Sequence, residues 1–439
     1  MNRTLLASLK TWAHARIRKP LLLRGARQVG KTFVIRQLGE SFDSFVELNF
    51  ELEPELSKCF RSLKPQDIIN AIAFIRSVSI VPGKTLLFLD EIQMCPEAIQ
   101  ALRYFKEEMP ELHVIAAGSL LEFTLTQESI SMPVGRIEYV YLYPCSFYEF
   151  LINAKQDVAL EHLENITLAT VLSDAAHDHL LKLFKEYSVV GGMPEALHTY
   201  QETRDLYQVQ RIQNSILQTY RDDFGKYANA AHHKYLQAVY NQVPGMVGTQ
   251  IGYQKIEPEF RSRDLKNAIT LLEQAGVVKR IYATAAVGLP LSATLQEKKF
   301  KLHFLDIGLV QRKMGLSTNL LIEEDIFKVN AGALAEQSVA QELLAYQDPF
   351  SPAELYFWAR DKHNAKAEVD FITNIGGHII PIEVKSGAMG RLKSLNIFLQ
   401  EHAVPVGVKI SSAPLSKTGK ILNVPFYLVY KLADLGLVA

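Results

Sequence analysis

Between residues 21 and 150, short apolar runs alternate with stretches in which apolar positions recur every three or four residues. Runs that are apolar throughout read as strands buried on both faces, and the periodic stretches between them read as covering helices. The pattern predicts a parallel α/β sheet with strands at 20–23, 45–50, 85–89, 113–117 and 136–142, and helices at 97–108 and 147–153. From about 155 to 240 the chain turns helical and rich in charge, broken by the turn signal Gly191-Gly192-Met193-Pro194. Residues 262–276 read as an N-capped amphipathic helix stopped by Gly276, and 277–282 and 299–304 alternate as the strands of a hairpin do. Helix plus hairpin predicts a winged helix. Past 325 the α/β pattern returns, with a helix at 332–346 and strands at 355–358, 368–373 and 378–384. The expected organisation is α/β and multidomain, divided at 1–154, 155–324 and 325–439.

Composition narrows this little. At 439 residues the chain exceeds what one hydrophobic core serves. Lys plus Arg number 47 and Asp plus Glu 47, so any pull toward nucleic acid must come from a local basic surface. Cys59, Cys95 and Cys145 are scattered, which fits a reducing compartment and argues against a disulfide framework or a structural zinc site. The N-terminal residues lack a continuous apolar core followed by a small-residue cleavage site, and no run of about twenty apolar residues occurs, so the expectation is a soluble, cytoplasmic protein without a membrane partner.

Specific chemistry enters at Gly25-Ala26-Arg27-Gln28-Val29-Gly30-Lys31-Thr32, which matches the phosphate-binding pattern G-x-x-x-x-G-K-S/T at every fixed position. Between a strand and a helix, the loop amides and helix N-terminus face phosphates, Lys31 reaches the β- and γ-oxygens, and the Thr32 hydroxyl ligates Mg²⁺. ATP and Mg²⁺ are the expected cofactors. Hydrolysis also needs a second metal-binding carboxylate and a group that orients water, and Asp90 and Glu91 supply both after the run Leu86-Leu87-Phe88-Leu89. Ser119 follows the next strand and either senses the γ-phosphate or caps a helix. Arg136 either approaches a phosphate, in its own or a neighbouring subunit, or is a solvated edge residue. A homo-oligomer is therefore left open.

Asp90-Glu91-Ile92-Gln93, Gly118-Ser119, Gly135-Arg136, the segment from Tyr143 to Leu151 and Tyr187-Ser188-Val189-Val190-Gly191-Gly192-Met193-Pro194 together resemble a family of bacterial and archaeal AAA-type P-loop ATPases fused to a C-terminal domain of unknown function (DUF4143). The resemblance implies an AAA-type ATPase domain at 1–154, a helical and winged-helix domain at 155–324 and a nuclease-like domain at 325–439. The Gly-Gly-Met-Pro signature marks the family without explaining its chemistry.

A second constellation lies in Glu368-Val369-Asp370 and Ile382-Glu383-Val384-Lys385. Side chains alternate across a strand, so Glu383 and Lys385 share one face; if their strand neighbours that of Asp370, two carboxylates and an ammonium converge. Such a trio binds Mg²⁺ or Mn²⁺ and activates water against a phosphodiester. The spacing resembles the PD-(D/E)xK nucleases, which implies Asp370 and Glu383 as metal ligands, Lys385 as the water-orienting cation and Glu336 as a further helical acid, although Glu368-Val369-Asp370 stands where a leading Pro-Asp is usual. Three readings remain open: a metal-dependent DNA endonuclease, a nuclease fold that binds nucleic acid or protein without cutting, and a surface ion pair on an unrelated fold. In the winged helix, Arg261, Arg263 and Lys266 on the helix and Lys298, Lys299 and Lys301 in the wing are the candidates for DNA contact. His177-Asp178-His179 and His232-His233 lack partners at metal spacing and read as surface positions.

Overall fold

In a computed structural model the apolar runs of the N-terminal third become β1 (Leu21–Arg24), β2 (Ser44–Asn49), β3 (Thr85–Asp90), β4 (His113–Ala117) and β5 (Glu138–Tyr141). The structure describes residues 1–119, 133–170, 172–227, 232–316, 332–362, 365–387 and 390–437. These fall into two units: residues 1–143 with 274–276 and 348–352, and the remainder.

In the first unit the strands pair in the order β2-β3-β4-β1-β5, all parallel. Every residue of β3 and β4 is buried, as a sheet covered on both faces demands. Leu87, Leu89, Val114 and Ala116 pack with Ile68 and Ile72 of the helix Pro65–Arg76 and with Ile99, Leu102 and Phe105 of the helix Pro96–Glu108. Each fully buried side chain of this size contributes about 1.5–3 kcal/mol. A helix absent from the sequence reading, Leu5–His14, buries Leu5, Leu9 and Trp12 at spacings of four and three. Because the strands share a direction, all their carboxyl ends lie along one edge, and the strand order reverses at β1, where open α/β sheets bind ligands.

In the second unit, β6 (Val278–Thr284), β7 (Leu295–Phe304), β8 (Tyr356–Lys362), β9 (Ala365–Ile375), β10 (His378–Val384), β11 (Gly407–Ser411), β12 (Ser416–Thr418) and β13 (Ile421–Pro425) form one mixed sheet in the order β12-β13-β11-β10-β9-β8-β6-β7. The expected hairpin exists, with β6 and β7 antiparallel. It does not stand free as a wing: β6 also pairs in parallel with β8, through Tyr282↔Tyr356 and Ala283↔Phe357. The boundary expected at 324 lies outside the described residues, and the sheet spans it. Residues 300–304 of β7 are all buried, because the helix Ala333–Ala345, itself buried nearly all round, lies against them through Gln337, whose amide exchanges hydrogen bonds with the Phe304 backbone.

The Gly-Gly-Met-Pro turn has a packing role here. Gly191 ends the helix Asp174–Val190 at φ 80° and Pro194 opens the next, Pro194–Thr203. The Gly192 carbonyl accepts from the Cys145 amide at 2.7 Å, and the Gly192 amide donates to Asp306 Oδ2 at 2.5 Å. Gln341 Nε2 donates to Asp306 and to the Tyr187 hydroxyl, which lies 2.8 Å from both the Cys145 carbonyl and Glu342 Oε1. Glu342 also accepts from the Phe147 amide, at the start of a helix that Ser146 and Glu149 close with a reciprocal capping box.

Candidate functional site

The phosphate loop runs from β1 into the helix Lys31–Gly39, with Gly30 left-handed at φ 92°. Gly25 is demanded by space, since a Cβ there would lie 2.3 Å from the Leu142 carbonyl oxygen. Lys31 is buried, and its ammonium donates to the Gly25 and Ala26 carbonyls at 3.0 and 2.9 Å, so the charge is folded onto the loop it serves. The Thr32 hydroxyl donates to Asp90 Oδ2 at 3.0 Å, and Asn49 Nδ2 reaches the same oxygen at 3.3 Å. This hydroxyl and carboxylate, side by side at the loop, are the donor set that Mg²⁺ with ATP requires, and the residues fit that group. Glu91 follows at φ 50°, a strained conformation for a residue other than glycine. Its Oε2 accepts from Gln93 Nε2 at 2.5 Å. Arg27 Nε donates to Ser119 Oγ at 3.3 Å, which places Ser119 beside the loop; residues 120–132, where a helix for it to cap was expected, lie outside the described residues.

Arg136 is the exception. It precedes β5 in a sheet whose strands run parallel, so it sits at the amino edge, opposite the loop, and pairs with Glu107 at 2.8 Å. The expectation that it binds the nucleotide of its own chain is corrected by strand direction alone. Two residues that the sequence reading missed support the loop: Gln93, which holds Glu91, and buried Arg3, which donates to the Val29 and Tyr143 carbonyls, both at 2.7 Å. Neither carries a local signal, because each acts across a long separation or through a neutral amide. The turn at Gly276 also lies in this unit, where a Cβ would come within 3.2 Å of the Ala26 amide nitrogen.

Burial pushes the Lys31 ammonium down to about 8, against the pull of Glu91 and Asp90. Burial, followed by the charge of Glu91, pushes Asp90 up. If phosphate is engaged by the protonated lysine, ATP binding is expected to weaken as pH rises through about 8, approaching tenfold per unit. The phosphates are already fully ionised there, since their last pKa is about 6. Titration of a fluorescent ATP analogue between pH 7 and 9.5 checks this, and a flat profile would show that Lys31 keeps its proton without nucleotide.

In the second unit β9 and β10 are antiparallel neighbours with Phe371 opposite Ile382, and Asp370 Oδ2 accepts from the Val384 amide at 2.8 Å. Asp370 and Glu383 are therefore brought together. Glu383 Oε1 accepts from Lys385 Nζ at 2.6 Å, while its buried Oε2 has no hydrogen-bond partner among the described residues. Glu336 joins from the helix Ala333–Ala345, but through Lys301: that ammonium lies 2.7 Å from Glu336, 2.6 Å from Glu368 and 3.7 Å from Asp370. Lys301 was expected to contact DNA from a wing, yet its side chain is only 1% exposed, because β7 is covered on both faces. Burial would lower its pKa, but the carboxylates of Glu336, Asp370 and Glu368 outweigh it and hold it well above the lysine range. Burial raises Glu336, Asp370 and Glu383 in turn, with Lys301 opposing the rise. Among the described residues no three His, Cys, Asp or Glu side chains are grouped to hold a metal ion.

The helix Ser262–Gln274 buries Leu265, Ala268, Ile269 and Leu272 and exposes Arg261, Arg263 and Lys266 beside it, around an open pocket of about 500 Å³ that His232 also lines. His177 is buried, not at the surface, with Nδ1 2.7 Å from the Tyr427 hydroxyl and Nε2 3.0 Å from the Ser412 carbonyl. Among the described residues no helix is long and apolar enough to cross a membrane.

Residues 17–151 match the AAA domain model, 181–320 a domain of unknown function (DUF8612) and 331–427 a domain of unknown function (DUF4143). No curated protein matches the sequence. Similar solved structures include the Aeropyrum pernix ORC2 protein in ADPNP-ADP complexes, 14% identical over 76% of this chain and 91% of that one with a TM-score of 0.37. Others are the Aeropyrum pernix ORC1 protein in complex with DNA (13%, 76% and 93%, 0.31) and Thermotoga maritima RuvB (17%, 63% and 88%, 0.28). The chain thus carries an AAA domain, the nucleotide-binding kind to which its phosphate loop belongs, followed by two domains of unknown function.

Proposed function

We propose that the protein is a Mg²⁺-dependent ATPase whose nucleotide state controls a C-terminal half that engages DNA. The observation that carries the ATPase reading is the Thr32–Asp90 hydrogen bond, which joins the loop to the strand that ends in Asp90-Glu91. Mg²⁺, when bound, neutralises charge on the β- and γ-phosphates. Lys31 turns from the loop carbonyls to the phosphates, the Thr32 hydroxyl and Asp90 hold the cation, and Glu91 orients the attacking water and takes its proton. Exposed Arg261, Arg263 and Lys266 supply the basic surface that the neutral chain lacks overall.

Of the two readings of the C-terminal cluster that keep a nuclease fold, cutting and holding, the buried Lys301 favours holding. ATP turnover measured with and without single- and double-stranded DNA, with cleavage followed in the same tube, tests the whole. The expected outcome is ATP-sensitive DNA affinity without cleavage. Arg261→Ala with Arg263→Ala is expected to weaken that affinity for all sequences alike and to reduce its salt slope by about one per lost phosphate contact. DNA binding that ignores both salt and this pair would remove DNA from the proposal and leave a protein partner.

A further inference from the structure

The acidic cluster of the second unit is arranged around a centre, and the centre is taken. We infer that the Lys301 ammonium is the resident cation of the carboxylates of Glu336, Glu368 and Asp370, so that this centre is closed to Mg²⁺ and Mn²⁺. This deepens the non-cleaving reading above but rests on the residues around Lys301 alone, and its test needs no DNA.

Three observations carry it. First, carboxylates from two elements, Glu336 on a helix and Glu368 and Asp370 on β9, converge on one nitrogen at 2.7, 2.6 and 3.7 Å. A lysine ammonium has three protons and no acceptor, which suits three carboxylates. Oxygen ligands of Mg²⁺ stand at about 2.0–2.1 Å; a metal at this point would have to displace the ammonium, because two cations cannot share it. Second, Lys301 is placed by strand register and not by a swing of its side chain. It pairs with Ile281 across β6, Gln250 bridges to it on its other side, and its ammonium lies 5.2 Å from the centre of the Phe357 ring. Glu368 is fixed in turn by Gln250 Nε2 at 2.6 Å. Third, Glu383, the remaining acid, is turned to Lys385 at 2.6 Å and makes no ion pair with Lys301 among the described residues, so it adds no ligand to the centre that Lys301 fills.

The experiment uses the full chain without nucleotide and reads the thermal midpoint and the free Mn²⁺ signal in electron paramagnetic resonance. The parent and Asp370→Asn are expected to respond alike to millimolar Mn²⁺. Lys301→Ala is expected to lower the midpoint, and Mn²⁺ or n-propylammonium, which replaces the deleted atoms, is expected to restore it. That rescue should disappear in Lys301→Ala with Asp370→Asn. A Mn²⁺ ion bound by the parent and lost in Asp370→Asn would overturn the inference, as would a Lys301→Ala protein whose midpoint is unchanged and indifferent to both cations. Should Lys301→Ala fail to fold, Lys301→Arg is expected to keep the midpoint and Lys301→Met to lower it, and equal midpoints for those two would count against a resident cation. Loss of DNA binding or of ATP turnover would bear on the proposed function and leave this result standing.

Discussion

Glu91→Gln is expected to lower ATP turnover by about 10²–10⁴-fold, the usual contribution of a positioned general base, while ATP affinity stays within about twofold of the parent. That range is about 2.7–5.4 kcal/mol of barrier. The side chain is nearly isosteric and retains an oxygen for the 2.5 Å bond from Gln93, so the loss isolates proton acceptance from structure. Lys31→Ala is expected to behave differently. Its ammonium is the buried charge of the loop, bonded at 3.0 and 2.9 Å to carbonyls that the phosphates replace, so its removal should abolish binding itself. Equilibrium binding of a fluorescent ATP analogue and phosphate release under saturating ATP separate the two. Turnover that survives both substitutions would remove the loop as the hydrolytic site. The left-handed backbone at Glu91 adds a control, because Glu91→Gly relieves the strain and deletes the carboxylate together. A loss as large as that of Glu91→Gln, in a protein no less stable than the parent, would assign the effect to the carboxylate.

What was legible in the chain follows from how local each signal is. The first sheet was legible because its inner strands β1, β3 and β4 are mostly apolar, and the loop because its glycines and Lys31-Thr32 sit in eight consecutive residues. Of the readings of Arg136, contact with its own chain's nucleotide falls: residue spacing says nothing of which edge of a sheet a loop occupies, and the parallel pairing Leu21↔Glu138 shows it to be the far one. Lys301 was misread because Lys298-Lys299-Phe300-Lys301 looks like a solvated wing, and its burial depends on a helix and a strand some 35 and 70 positions further on. Arg3 had no signal at all. Its value lies in two carbonyls, 26 and 140 positions away.

The Gly-Gly-Met-Pro signature was the opposite case, plain in the sequence but mute about cause, and its packing now predicts large losses. Gly192→Ala is expected to destabilise the second unit by about 3 kcal/mol or more, at the upper end of overpacking costs. The added Cβ would lie 2.2 Å from the Cys145 carbonyl oxygen and 2.9 Å from both the Cys145 amide nitrogen and Gln341 Nε2. Two of those atoms are backbone, so no change of rotamer relieves the clash, and the 2.7 Å bond between the Cys145 amide and the Gly192 carbonyl must break. Glu342→Ala approaches the same network from its other end. It strands the buried Phe147 amide, at about 1–3 kcal/mol, leaves the Tyr187 hydroxyl with the Cys145 carbonyl alone, and opens a cavity besides. Glu342→Gln, which keeps one acceptor oxygen and the volume, should cost less than Glu342→Ala. Urea unfolding followed by tyrosine fluorescence orders the variants, and ATP binding below the transition reports whether the first unit stays folded. Because Gly192 binds Cys145 and Glu342 binds Tyr187, whose hydroxyl reaches the Cys145 carbonyl, their costs should not add: the double variant is expected to fall short of the sum by about 1 kcal/mol or more. Strict additivity would mean that the turn and the helix Ala333–Ala345 are stabilised separately, and the signature would then need another explanation.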